Sequence, residues 1–154
     1  MNEIPVRTII DGHARGPALV TRQPINFTAA MCKVPNILPS KRAEIRDAHH
    51  ELFGHNVAGR VLVFPSCIGS THTGLVLLDL VSYERGPAAL VVERCDSLLI
   101  SGVVLAEVWF GKSIPIVEFD DPTLYERLAN GAEVEVDTTA GMLRILAAAP
   151  NRAA

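Results

Sequence analysis

The sequence predicts a single mixed α/β domain, and three observations carry that prediction. Short runs of β-branched and aliphatic residues, bounded by turn residues, alternate with longer apolar stretches. The run 60–64, closed by Pro65, passes through small residues into 74–81, an apolar stretch too long for a typical strand. Near the end, 133–137 and 142–146 alternate in polarity around Thr138, Thr139, Ala140 and Gly141, the pattern of a hairpin. A chain of 154 residues suits one core that buries roughly 70% of the unfolded surface. We expect one domain over 1–154, with its fold core at about 6–146.

The elements follow in order. Residues 6–10 read as a strand stopped by Asp11 and Gly12, and 18–22 as a second. The stretch 29–46 holds two prolines, two lysines and two arginines with little periodicity. It predicts a long loop, apart from a short helix near 42–50. The run 60–64 is a buried strand and 74–81 a buried helix. Strands at 88–93 and 114–119 flank a helix over 97–108, expected to break at Gly102 because glycine is a poor helix former. Asp121 and Pro122 start a third helix, carried by Leu124 and Leu128 and ended by Gly131. No internal repeat is present.

Composition narrows the function. With 49% hydrophobic and 20% charged residues the chain has globular, not disordered, character. Fourteen basic against 17 acidic residues, net −3, lacks the basic excess that neutralises nucleic-acid phosphates. No apolar run reaches the ~20 residues of a membrane span, and the opening residues have no signal-peptide layout. These features predict a cytoplasmic protein without nucleic-acid or membrane partners. Cys32, Cys67 and Cys95 are odd in number and lack a CxxC spacing, which fits a reducing compartment. Each reads as a small apolar filler, with convergence on a metal or cluster as the alternative.

The segment from Pro65 to Gly74 is where chemistry is expected, because it places hydroxyls where a buried strand feeds a helix whose first amides have no intrahelical partner. Ser70, after Gly69, falls at or beside the helix N-terminus, where the dipole favours negative charge on its oxygen. From local sequence alone, an ordinary helix cap is the favoured reading of Ser70 or Thr71. His72 lies two residues on. His49 and His50 read as a solvated pair before the turn at Gly54, and Asp120 and Asp121 as capping acids. No Walker loop, GxSxG or GxGxxG is present.

Several pieces, in their order and spacing, resemble the swivel domain or small subunit of aconitase X dehydratases. They are Gly16-Pro17-Ala18-Leu19-Val20 with Pro24-Ile25-Asn26-Phe27, then His50 with Gly54 and Ala58-Gly59-Arg60-Val61-Leu62. Gly69-Ser70, Gly86-Pro87-Ala88-Ala89-Leu90-Val91, and the stretch from Gly102 to Val117 complete the set. The resemblance implies a swivelling β/β/α fold, with a central, partly barrel-like sheet and flanking helices. It also implies that Ser70 is the catalytic base, with Ser66, Gly69, Thr71 and His72 contacting substrate and no metal ligand on this chain.

The implied reaction is dehydration of a small hydroxy acid, in which Ser70 takes the proton α to a carboxylate. By resemblance the iron–sulfur cluster belongs to a large catalytic subunit, so this chain is expected to be a hydro-lyase subunit active only in a heterodimer with it. The stretch from Gly102 to Val117 resembles the cis-3-hydroxy-L-proline enzymes most. Phosphomevalonate dehydratase small subunits are the alternative, and a binding or regulatory module without catalysis is a third reading. Two departures stand out. Residues 28–35 and those that follow replace a glycine-rich family piece, making 28–46 a divergent loop. Ser66-Cys67-Ile68 precedes Gly69 where the family carries a basic residue. Cys32 and Cys67, in the altered pieces, are apolar replacements, redox-sensitive positions or cluster ligands.

Overall fold

β4 (Val61–Phe64) and β5 (Ala89–Val92) are buried at every residue, and the fold is organised around them. Because side chains alternate across a strand, their two faces feed two cores. Val61, Val63, Ala89 and Val91 join one cluster with Val117, Val134, Val136 and Leu143. Leu62, Phe64, Leu90 and Val92 join the other with Leu77, Leu80, Leu99 and Val103. The computed structural model describes residues 2–32 and 43–150.

Six further strands complete the sheet: β1 (Glu3–Pro5), β2 (Arg7–Ile10), β3 (His13–Val20), β6 (Ile116–Glu118), β7 (Glu133–Asp137) and β8 (Met142–Ala147). The order is β1-β8-β7-β3-β4-β5-β6-β2, with β3, β4, β5 and β6 parallel and the other pairs antiparallel. The two edge strands are separated in the chain by Val6 alone, so their facing ends lie within about 7 Å of each other. The sheet therefore curls back toward closure, as the expected barrel-like form requires. Val6 N donates to Gly141 O at 3.0 Å and Gly12 N to Thr138 Oγ1 at 2.9 Å, tying the first strands to the β7–β8 hairpin. Arg7 pairs with the buried Glu118, whose other oxygen accepts from Cys95 N at 2.7 Å.

The outer face is covered by α1 (Phe27–Met31), α2 (Thr73–Ser82) and α3 (Ser97–Phe110), while α4 (Leu124–Arg127) leads into β7. The Asp96 side chain caps α3 by accepting from Leu98 N and Leu99 N, both at 3.0 Å. α3 is continuous, contrary to the expected break at Gly102. A Cβ there would lie 2.8 Å from Leu77 Cβ and closer still to Gly74 O. The glycine lets α2 and α3 approach backbone to backbone, and that packing outweighs its low helix propensity. No helix among the described residues is long and apolar enough to cross a membrane.

Three further expectations are corrected. The stretch 29–46 begins in a helix, because Asn26 caps α1 by accepting from Ala29 N at 3.1 Å and Phe27, Ala30 and Met31 are buried. The helix near 42–50 is absent over its described part, 43–50. Ala43 and Ile45 are buried and the segment pairs back through Ile45 N to His55 O at 2.9 Å and Val57 N to Ala43 O at 2.9 Å. The remainder of that expectation, with 33–42 of the divergent loop, lies outside the described residues. His50 is buried rather than solvated, and its Nδ1 accepts from Leu52 N at 3.1 Å.

Candidate active site

β4 delivers the chain to the carboxyl end of the parallel strands, and the following turn is held by the segment ahead of α1. Ile25 N donates to Ser66 O at 3.0 Å and Ile68 N to Ile25 O at 3.1 Å, extending the sheet by one parallel bridge. Gly69 then turns with φ +88°, and a Cβ there would come within 2.8 Å of Asn26 Cγ. Only glycine takes both that dihedral and that contact without strain. Asn26 thus does two things: it caps α1 and it packs against the turn that presents Ser70.

Ser70 is half-buried and sits three residues ahead of the first helical residue, Thr73. Its carbonyl oxygen accepts from Thr73 N at 3.3 Å and from Thr73 Oγ1 at 3.0 Å. Its hydroxyl oxygen accepts from His72 N at 3.1 Å and lies 2.9 Å from His72 Nδ1. The N-cap position of α2 is His72, whose side chain makes no capping bond. Ser70 therefore does not cap α2 in the usual manner, through the amides of the first helical turn, and neither does the exposed Thr71.

Two hollows flank this turn. One, of about 560 Å³, runs along α2 and is lined by His72, Leu75 and Val76 with Thr28, Met31 and Cys32 from the α1 end. The other, of about 420 Å³, lies at the carboxyl ends of β4, β5 and β6 and is lined by Ser66, Glu93, Arg94 and Asp120 among others. Ligands of parallel sheets gather at this end. The expected site residues are thus divided: Ser70 and His72 are in contact, Gly69 and Thr71 adjoin them, and Ser66 faces the other hollow. Arg94 was not foreseen. Its guanidinium is exposed and has no ion pair among the described residues. Its place immediately after a parallel strand is the signal that could have found it.

The cysteines do not form a ligand set. Burial, more than the nearby Asp96, pushes the Cys67 thiol well up, and burial pushes Cys95 to about 11. Cys32 is exposed at the end of α1, and no group of three metal-binding side chains occurs among the described residues. The residues present do not fit an iron–sulfur cluster.

The family model of the aconitase X swivel domain matches residues 3–145. The chain belongs to the aconitase X swivel family. Its likeness to the crystal structure of Thermococcus kodakaraensis aconitase X has a TM-score of 0.76 at 27% identity, covering 94% of this chain and 98% of that one. The chain is 34% identical over 131 residues to cis-3-hydroxy-L-proline dehydratase of Pseudomonas aeruginosa, covering 81% of this chain but only 21% of that protein. It is 33% identical over 140 residues to the phosphomevalonate dehydratase small subunit of Archaeoglobus fulgidus, covering 91% of this chain and 96% of that subunit. The swivel-domain relatives thus include both separate small subunits and pieces of much longer dehydratases.

Proposed function

We propose that this swivel domain closes over a large catalytic subunit and supplies Ser70 as the base of a hydroxy-acid dehydratase. The observation that carries the reading is the pinned Gly69–Ser70 turn, which keeps Ser70 half-buried between His72 and Ser66, residues that each line a hollow, with its hydroxyl bonded to His72 and not to the amides of the first turn of α2. Ser70 takes the proton α to the substrate carboxylate, and the C–H electron pair becomes the new double bond as the β-hydroxyl leaves. The cluster, held by the large subunit, would act there as a Lewis acid on the departing oxygen. The first amides of α2 and cations of the closed interface would favour the alkoxide form of the serine.

For substrate, cis-3-hydroxy-L-proline is the first choice. The 420 Å³ hollow carries Arg94 together with Glu93 and Asp120. Charges of both signs suit a zwitterion, whose carboxylate meets the guanidinium and whose ring ammonium meets an acid. A phosphate dianion gains less from that mixture. Arg94 would replace the positive charge that Ile68 does not provide ahead of Gly69. Phosphomevalonate is the second choice, supported by the nearly equal identity to the Archaeoglobus fulgidus small subunit. The complex with its large subunit should be assayed on both. Turnover of cis-3-hydroxy-L-proline at least tenfold more efficient supports the first choice, the opposite ratio the second. Inactivity on both would remove the substrate proposal.

A further inference from the structure

A serine hydroxyl is a weak base near neutral pH, and the proposed role of Ser70 needs a group that takes its proton. We infer that His72 is that group: the Ser70 hydroxyl and the His72 imidazole form a dyad in which Nδ1 accepts the serine proton. The inference rests on the reading of Ser70 as base and deepens it.

The hydrogen-bond inventory of the two residues allows this arrangement. A serine oxygen has one proton to donate and two lone pairs. Ser70 Oγ already accepts from His72 N at 3.1 Å, so one lone pair is occupied. The remaining short contact is to His72 Nδ1 at 2.9 Å. The second lone pair would accept from Nδ1–H in one tautomer; the dyad takes the other, in which the hydroxyl donates to Nδ1 and the ring proton sits on Nε2. When the hydroxyl loses its proton, the same nitrogen carries it and donates back to the oxyanion, while the His72 amide remains as a second donor. One residue thus offers both a proton acceptor and an oxyanion donor to one oxygen.

The step balances. The Cα–H bond breaks and its proton goes to Ser70 Oγ as the hydroxyl's own proton passes to Nδ1. The C–H electrons form the double bond and the β-hydroxyl departs with its bonding pair. The imidazolium then releases its proton, which with the departing hydroxide makes water. His72 is exposed, so substitution there leaves the core intact. The other titratable and charged groups lining its groove are Cys32 at the end of α1, and Asp79 and Arg85, which pair with each other.

Acting through Ser70, His72 is a positioning and proton-accepting residue, and the test must separate it from a merely structural one. In the complex with the large subunit, His72→Asn keeps a hydrogen-bonding side chain but cannot take the proton. Its kcat should fall about 100-fold or more, in the range of general acid–base catalysis. The kcat–pH profile of the variant should differ in shape from that of wild type, which a merely structural role of His72 would not cause. Added imidazole should restore part of the activity of His72→Ala. In the isolated chain, Ser70→Ala should shift the Nδ1 resonance of His72 in ¹⁵N NMR. A His72→Asn complex with wild-type kcat and an unchanged pH profile, alongside an inactive Ser70→Ala, would overturn the dyad and leave the serine base standing. Full activity of Ser70→Ala would remove the functional reading on which the dyad rests.

Discussion

Gly102→Ala tests whether the crossing of α2 and α3 is as close as the structure shows. The added methyl would lie 2.8 Å from Leu77 Cβ and 3.2 Å from the Gly74 carbonyl carbon. Carbon atoms at optimal separation stand about 3.5–4.0 Å apart, so the helices must part by about 1 Å or bend. Overpacking of this kind costs about 1–3 kcal/mol, and the upper end applies where the obstacle is backbone. Against it, alanine is better than glycine in a helix interior by about 1 kcal/mol. The clash wins by about 2 kcal/mol, which corresponds to a Tm lower by about 4–8 °C in a domain of this size. Gly74→Ala should cost less, because its methyl meets chiefly Ser101 Oγ at 2.8 Å, a side-chain atom that can rotate away. Denaturant or thermal unfolding of both variants reads the order. Gly74 lies in the first turn of α2, so pressure on it also displaces the Ser70–His72 turn, and Gly102→Ala should lower turnover in the complex. A variant as stable as wild type, or more so, would refute the packing argument.

Three other outcomes follow from the same structure. Gly69→Ala forces a non-glycine residue to φ +88° and onto the Asn26 side chain, a strain of about 1–3 kcal/mol. Both a lower unfolding midpoint and a lower kcat are expected. Arg94→Ala in the complex should raise KM for a carboxylate substrate at least tenfold, with Arg94→Lys between it and wild type, as steady-state kinetics would show. Arg144 holds β1, β8 and β7 together through Glu3 and Glu135 at 3.0 Å and Asp137 at 3.1 Å. Hydrogen bonds from His13 and then Arg144 lower the Glu135 carboxyl, and bonds from Ala140 N and then Arg144 lower that of Asp137. Groups depressed in this way stabilise the fold above the ordinary carboxylate range, near pH 4, and lose that contribution as pH falls through their folded values. Arg144→Ala should therefore destabilise at neutral pH, with the difference from wild type shrinking in acid. A difference that grew in acid would contradict the pairing.

Where the sequence was legible, a single periodicity dominated. β4 and β5 were readable because burial on both faces demands uninterrupted aliphatic residues. The β7–β8 hairpin was readable because buried positions alternate with partly exposed ones along β7. β3 begins at His13, ahead of the predicted start at 18, since its first half carries His13, Arg15, Gly16 and Pro17 and is held by pairing to β7 rather than by composition. α1 was hidden because five residues show no helical period and only the Asn26 cap reveals it. Gly102 was misread because a propensity scale contains no neighbour, and its reason is Gly74 on another helix.

The site was legible in the same uneven way. Ser70 could be singled out because a strand, a glycine turn and a helix follow one another in the chain. Its contact with His72 needed coordinates, since residues two apart face each other only when a turn bends the chain between them. Arg94 joins Ser66 across strands, a relation that the linear order does not contain.

The dehydratase reading stands on Ser70 as the base. Its most direct measure is the rate of the complex carrying Ser70→Ala, with assembly checked by size-exclusion chromatography and substrate binding by calorimetry. We expect kcat to fall by about 10²–10⁴-fold while assembly and binding remain. An assembled, substrate-binding variant that turns over at the wild-type rate would contradict it.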